Sequence, residues 1–185
     1  MTDLELDGLS TRGWFMRDGF QPAVGTAVIA AERLDQYRPA GLSRDHHRND
    51  EVRGDESLWL TPEDPALAVL FAAFEALRTE VNLDAWLGLT RFDLQFTHYA
   101  GGGARYVRHL DALPGRHNRR LTAISYLNDA WTPPDGGKLK LHLKPAVEIE
   151  PLIGRLVVFL SEKVEHEVMP VWASRFAATA WFYGA

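Results

Sequence analysis

Phe92-Asp93-Leu94-Gln95-Phe96-Thr97-His98-Tyr99 is the stretch that decides the fold class. Bulky and polar side chains alternate along it. Successive side chains of a strand point to opposite faces, so the segment reads as a strand with two unlike faces. Phe92, Leu94, Phe96 and His98 share one face, and Asp93, Gln95, Thr97 and Tyr99 share the other. Downstream the same period recurs in short pieces near Arg105 to Asp111, Arg120 to Leu127, Lys138 to Leu143 and Val147 to Glu150. It continues near Arg155 to Leu160, Glu165 to Met169 and Phe176 to Tyr183. Pro133-Pro134-Asp135-Gly136-Gly137 punctuates the series as a turn.

Upstream of Gly88 the pattern is different. After a short strand over Trp14 to Phe20, the residues Val24, Ala27, Val28, Ala31 and Leu34 recur at helical spacing and predict a first helix ending before Pro39. Thr61-Pro62-Glu63-Asp64 offers a hydroxyl N-cap, a proline at the first helical position and acids in the first turn. Leu67, Leu70, Phe71, Phe74, Leu77 and Val81 then share a face of a second helix. Between the helices, Gly41 to Glu56 is polar and charged and includes Asp45-His46-His47-Arg48-Asn49-Asp50, which suits a long functional lid. Helices followed by about eight short strands predict an α+β, mainly β fold. The architecture expected is a double-stranded β-helix (jelly roll) with N-terminal supporting helices, as one domain over residues 1–185.

Composition narrows the function classes. With 46% hydrophobic residues and six Trp in 185 residues, the chain can bury a core without staples. It contains no Cys, which removes disulfides, thiolate metal sites and cysteine nucleophiles together. A net charge of -5 without a basic stripe speaks against nucleic acid as the main ligand. No apolar run is long enough for a membrane span and no signal region is visible, so a cytoplasmic location is expected.

The chemistry-bearing pattern is His109-Leu110-Asp111, answered by His166 and then by Arg175. Ligands two apart on a strand point the same way, so this imidazole and carboxylate can grip one side of a metal ion, and His166 completes the set. Two imidazoles and a carboxylate leave three positions of an octahedral iron open, enough for a chelating co-substrate and O₂. Arg175 opens an apolar and aromatic run reaching Tyr183, with Thr179 and Trp181 on its own strand face. A buried guanidinium keeps its proton and needs an anion, which a dicarboxylic keto acid would supply. A cupin site would instead want His-x-His followed by Glu, a pattern this chain lacks. His98 reads as a hydrogen-bonded core histidine, His142 as core or surface, His117 as a solvated loop residue, and His46-His47 as adventitious. Gly101-Gly102-Gly103 reads as a strand connection, not a phosphate loop.

Several strings together resemble the 2-oxoglutarate and Fe(II)-dependent prolyl hydroxylases, in the branch that includes the hypoxia-inducible-factor prolyl hydroxylases. They are Tyr106-Val107-Arg108-His109-Leu110-Asp111, Ser125-Tyr126-Leu127-Asn128, Asp135-Gly136-Gly137-Lys138-Leu139, His166-Glu167-Val168 and Arg175 through Trp181. Val52-Arg53-Gly54-Asp55 with Trp59 extends the similarity upstream, to roughly residues 12 to 183. The resemblance implies Fe(II) on His109, Asp111 and His166, with 2-oxoglutarate and O₂ as co-substrates and ascorbate as a candidate auxiliary. It places Tyr126 with Arg175 on the far carboxylate of 2-oxoglutarate, and Tyr99 and Thr179 beside it. It has Arg53 and Asp55, which alone read as a loop salt bridge, order the lid or meet the substrate, and places Arg119 near the bound prolyl residue with the choice between Arg119 and Arg120 open. It makes Trp181 a wall of the substrate pocket and has Trp59 anchor its segment in the core. Tyr126 alone also fits an ordinary strand aromatic, and Trp181 alone fits core packing. Because halogenases of this fold carry a small residue where Asp111 stands, hydroxylation is expected.

The function so implied is hydroxylation of a prolyl residue in a protein, giving succinate and CO₂. A bacterial member of the family is expected, with elongation factor Tu as candidate target. Hydroxylation of a free amino acid or small metabolite is the alternative, and a sensor of 2-oxoglutarate or oxygen without turnover is a third reading. The expected partner is a proline-containing protein or peptide, with neither nucleic acid nor membrane. The sequence leaves the oligomeric state open.

Overall fold

The computed structural model describes residues 1–20, 22–41, 52–113, 115 and 119–184. Along the chain come α1 (Asp3–Asp7), β1 (Trp14–Arg17), α2 (Ala23–Glu32), β2 (Arg38–Pro39), β3 (Glu56–Leu60), α3 (Ala68–Ala85), β4 (Leu89–Tyr99) and β5 (Ala104–His109). Then follow β6 (Arg119–Tyr126), β7 (Leu139–Leu141), β8 (Val147–Ile149), β9 (Leu156–Leu160), β10 (His166–Val171) and β11 (Arg175–Gly184). The strands form a larger sheet in the order β1-β9-β6-β11-β4-β3-β2 and a smaller one in the order β5-β10-β7-β8. This is the expected jelly roll with helices on one side.

The period-two pattern now has a physical meaning. Leu94, Phe96, Ala178, Ala180 and Phe182 turn outward and meet Leu70, Phe74, Leu77 and Val81 of α3 in one core. The opposite face of the same strands turns toward the smaller sheet, where Tyr99, Ile124, Tyr126, Val157 and Ala177 pack with Leu139, Leu141 and Val168. The polar side of β4 is therefore buried: Gln95 is 3% exposed and Tyr99 2%. A polar strand face usually meets water. Here it lines the space between two sheets.

Local chemistry explains the element boundaries. Asn82 on α3 clasps the turn into β4, its amide nitrogen donating to the Leu89 carbonyl (2.8 Å) and its oxygen accepting from the Leu89 N–H (2.7 Å). The helical N-terminus lies one turn later than Thr61-Pro62 suggests. Asp64 accepts from the Ala66 N–H (3.0 Å), with Pro65 following, and a single 3-10 turn, Pro65–Leu67, leads into α3. Both segments carry the cap-then-proline signature, and the second is the one beside the apolar run. In α2 the buried residues are Ala23, Thr26 and Ala30, while Val24 and Val28 are exposed, as is Leu34 just beyond the helix. Apolar side chains occur all around that helix, so their spacing identified the helix but not its inward face. Trp59 is likewise 54% exposed, because alternation along β3 sends Leu58 and Leu60 to the core instead.

The expected strand near Arg105 to Asp111 stops at His109, leaving Asp111 just beyond it. The short β2 and β3 flank the charged stretch, whose composition masks their alternation. Most of that stretch, with His46 and His47, lies outside the described residues, as does His117. Among the described residues no helix is long and apolar enough to cross a membrane.

Phe74 is fully buried and touches Phe20, Phe92 and Phe182. Phe74→Ala should therefore lower unfolding free energy by about 3–5 kcal/mol in urea titrations. Glu5 on α1 is joined to Arg17 on β1 at 2.7 Å, and that hydrogen bond holds its carboxyl down at about 2, below its ordinary 4.5. A depressed folded value means stabilisation present above about pH 4.5 and lost as pH falls toward 2. Urea midpoints of Glu5→Gln should accordingly change less than those of wild type across that window.

Candidate functional site

Between the sheets, one cleft gathers almost every residue singled out above. His109 ends β5 and His166 begins β10, and the two are direct cross-strand partners. Asp111 reaches the same point from the bend after β5. The ligand atoms of His109, Asp111 and His166 all lie within 4.8 Å of one another, a set that could hold a metal ion. From Asp111 Oδ1 the two Nε2 atoms are 3.6 Å (His109) and 3.8 Å (His166) away.

The backbone decides which imidazole nitrogen faces that point. His109 Nδ1 lies 2.8 Å from the Val107 carbonyl and His166 Nδ1 lies 3.1 Å from that of Val164. A carbonyl only accepts, so each Nδ1 carries the proton and each Nε2 presents a lone pair. Burial pushes His166 down to about 4, keeping it neutral at ordinary pH. Asp111 is also buried, which would raise its carboxyl. The nearby His166 and His109, with a hydrogen bond from Thr122, outweigh burial and hold it well below the usual carboxylate range. Thr122 donates to Asp111 Oδ2 at 2.7 Å and lies 2.9 Å from the Ser161 hydroxyl, which fixes the carboxylate from beneath.

Arg175 lies in the same cleft, 3% exposed. Its Nε donates to the Gly137 carbonyl (2.9 Å) and its guanidinium carbon is 5.2 Å from the ring centres of both Tyr99 and Tyr126. Among the described residues it forms no ion pair with a carboxylate. Gly137 is required here: at φ +70°, a Cβ would stand 2.7 Å from Arg175 Cδ. Among the described residues the buried Tyr126 hydroxyl has no hydrogen-bond partner, and burial pushes it up to about 12, so it stays a donor. A buried cation and an unpartnered hydroxyl side by side suit a carboxylate. The ligating trio suits a divalent metal with open positions, so both groups that the sequence implies fit the residues present.

The remaining expected residues fall into place around this centre. Thr179 and Trp181 line the cleft from β11, as strand parity requires. Arg53 and Asp55 line it from the other side, joined at 2.7 Å and 3.0 Å. Of the adjacent arginines, Arg119 is the one at the site: its guanidinium lies over Trp181 (4.9 Å) and donates to the Asp111 carbonyl (3.4 Å). Arg120 lies against Gly184. His98 is the core histidine expected, 2.9 Å from Ser174 Oγ and stacked on Phe176. His142 instead lies near the surface beside Glu167, at 3.4 Å.

The site also holds Gln95, Thr122 and Tyr106, to which the sequence alone assigns no role. Gln95 has a buried oxygen without a partner among the described residues and lines the cleft. It shares its strand face with Tyr99, so extending the parity argument by four residues would have found it. Nothing local marks Thr122, whose role exists only through the fold. A larger groove outside, lined by Trp59, Phe71 and Phe92, brings together no ligating set among the described residues. The chemistry sits in the narrower cleft.

Comparison with known proteins agrees with this geometry. Residues 94–183 match the family model described as the 2OG-Fe(II) oxygenase superfamily. A crystal structure of a Pseudomonas putida prolyl-4-hydroxylase is 35% identical, with a TM-score of 0.86, covering 98% of each chain. A Trichoplax adhaerens prolyl hydroxylase, solved with a hypoxia inducible factor peptide fragment, is 27% identical with a TM-score of 0.87, over 98% of this chain and 88% of that one. Human Egl nine homolog 1 is 30% identical over 88% of this chain, which spans 40% of that longer relative's length.

Substitution separates the two halves of the site. His109→Ala and Asp111→Ala should abolish succinate formation from 2-oxoglutarate and lower bound iron, without unfolding the protein. Normal turnover and iron content in both would dismiss the trio. Arg175→Leu should raise the 2-oxoglutarate requirement by about 2–5 kcal/mol, far more than the iron requirement, in steady-state assays. Tyr126→Phe should shift it less, in the same direction.

Proposed function

The chain belongs to the 2OG-Fe(II) oxygenase superfamily, among its prolyl hydroxylases, and from that premise we propose that it hydroxylates a prolyl residue of a protein substrate. One observation carries the reading: a ligating trio and a buried arginine that has no carboxylate partner among the described residues share a single cleft. His109, Asp111 and His166 hold Fe(II). Bound there, iron couples oxidative decarboxylation of 2-oxoglutarate to hydroxylation by O₂, with succinate and CO₂ as products. Arg175 and Tyr126 clasp the far carboxylate of the keto acid, a charge-assisted contact in a place sheltered from water. Tyr99 and Thr179 wall that end of the cleft.

Arg53, Asp55, Arg119 and Trp181 form the substrate side. Their arrangement supports an extended peptide, because cationic and aromatic groups continue from the cleft toward the surface: Trp181 contacts the exposed Trp59 at 5.6 Å between ring centres. An extended substrate can use such a flank, whereas a free amino acid ends within the cleft. The structural relative from Trichoplax was solved with a peptide fragment, which favours the same class. Elongation factor Tu stands as the candidate target.

The test supplies purified enzyme with Fe(II), 2-oxoglutarate, O₂ and ascorbate, and offers proline-containing peptides beside free proline. Mass spectrometry should show one added oxygen on the peptide, with matching succinate, and little on free proline. Efficient turnover of free proline would promote the metabolite reading. Tight 2-oxoglutarate binding with no oxidised product, also in host lysate, would promote the sensor.

A further inference from the structure

We propose that Tyr106 is a positioning residue for the metal-ligating imidazole of His109, and that residues 52–55 hold it in place, so that their docking on β5 tightens the metal site. The inference rests on the metal reading of the trio given above. The two imidazoles are enclosed differently. His166 has a side chain 4% exposed and lies against Phe159, with ring centres 4.6 Å apart. His109 is 17% exposed and has Tyr106 as its wall: the rings stack 3.6 Å apart at an interplanar angle of 16°. The bond from Nδ1 to the Val107 carbonyl selects the tautomer. The stack fixes the ring plane, and with it the direction of Nε2.

Residues 52–55 reach His109 by two routes. Along the first, the Arg53 guanidinium lies over the Tyr106 ring at 4.7 Å. It cannot swing away freely, because it pairs with both oxygens of Asp55, whose side chain is fully buried. Leaving would strand a buried carboxylate. Along the second, the Val107 N–H donates to the Val52 carbonyl (2.9 Å), while the Val107 carbonyl accepts from His109. The same peptide segment that holds the imidazole tautomer is thus held by the strap. The Gly54 N–H donates to the Arg105 carbonyl (2.9 Å), and Arg53 bridges Tyr106. Gly54 lets the strap lie this close: a Cβ there would meet Ala104 Cβ at 3.2 Å and its Cα at 3.4 Å.

Partners that orient a metal ligand typically change metal affinity by about 10–100-fold when removed. The experiment titrates the full chain with Co(II), without 2-oxoglutarate, and reads affinity and the visible absorption bands that report coordination. Tyr106→Leu should weaken Co(II) binding by about 10–100-fold and alter the bands. Tyr106→Phe, which keeps the stacking ring, should restore both. Gly54→Val, which alters neither the ring nor a ligand, should weaken binding in the same direction by lifting the strap. Circular dichroism and unfolding in chelator establish that each variant is folded. If folded Tyr106→Leu binds Co(II) as wild type does, or if Tyr106→Phe is as impaired as Tyr106→Leu, the inference is overturned. Should Tyr106→Leu fail to fold, wild-type affinity in Gly54→Val overturns it instead. His109→Ala serves as reference. If it loses Co(II) while Tyr106→Leu keeps it, only the positioning role falls; if it keeps Co(II), the metal reading falls and takes the inference with it.

Discussion

Burial of Arg175 is the constraint on which the rest of the site depends. Its guanidinium is always charged, costly to remove from water, and 3% exposed between two tyrosine rings. The protein offsets that cost only in part, through the Gly137 carbonyl and the faces of Tyr99 and Tyr126. A full match needs an anion. Because β11 and β4 are paired from Arg175 opposite Tyr99 onward, the charge sits on the same sheet face that leads to Thr179 and Trp181. On the proposed reading the site combines a carboxylate with a metal, one gripped by the larger sheet and the other by the loop and strands facing it.

That division also accounts for why the ligands are held so differently. The imidazoles come from a cross-strand pair in the smaller sheet, and their tautomers are set by carbonyls of their own strand or of the turn before it. Asp111 lies beyond a strand end and has no ladder to hold it. Its orientation is borrowed from Thr122 in the opposite sheet, so the candidate metal site spans both layers. Slippage of one sheet relative to the other would separate the carboxylate from the histidines. Packing of α3 on the outer face thus bears on chemistry indirectly, by fixing the larger sheet.

Much of this was legible in the sequence, for physical reasons that also mark its limits. Alternation over Phe92–Tyr99 gave the strand, and parity placed Arg175, Thr179 and Trp181 together, since a strand allows only two faces. Parity placed Gln95 on the polar face of its strand but could not say that this face is interior. Helical spacing found α2 but not its inward face, because small Ala23 and Ala30 pack closely while larger Val24 and Val28 remain outside. Trp59 departs from the core place that the resemblance implied, since its neighbours Leu58 and Leu60 hold the inward positions. Thr122 and Tyr106 depend on contacts between distant segments, which spacing along one strand cannot reveal.

The most direct test of the central claim is a crystal structure grown without oxygen in the presence of Mn(II) and 2-oxoglutarate, with data collected at the manganese edge. The account predicts an anomalous peak ligated by His109 Nε2, Asp111 Oδ1 and His166 Nε2. It also predicts the keto acid chelating that ion, with its far carboxylate on Arg175 and the Tyr126 hydroxyl. A metal peak elsewhere, or a keto acid bound away from Arg175, would contradict it.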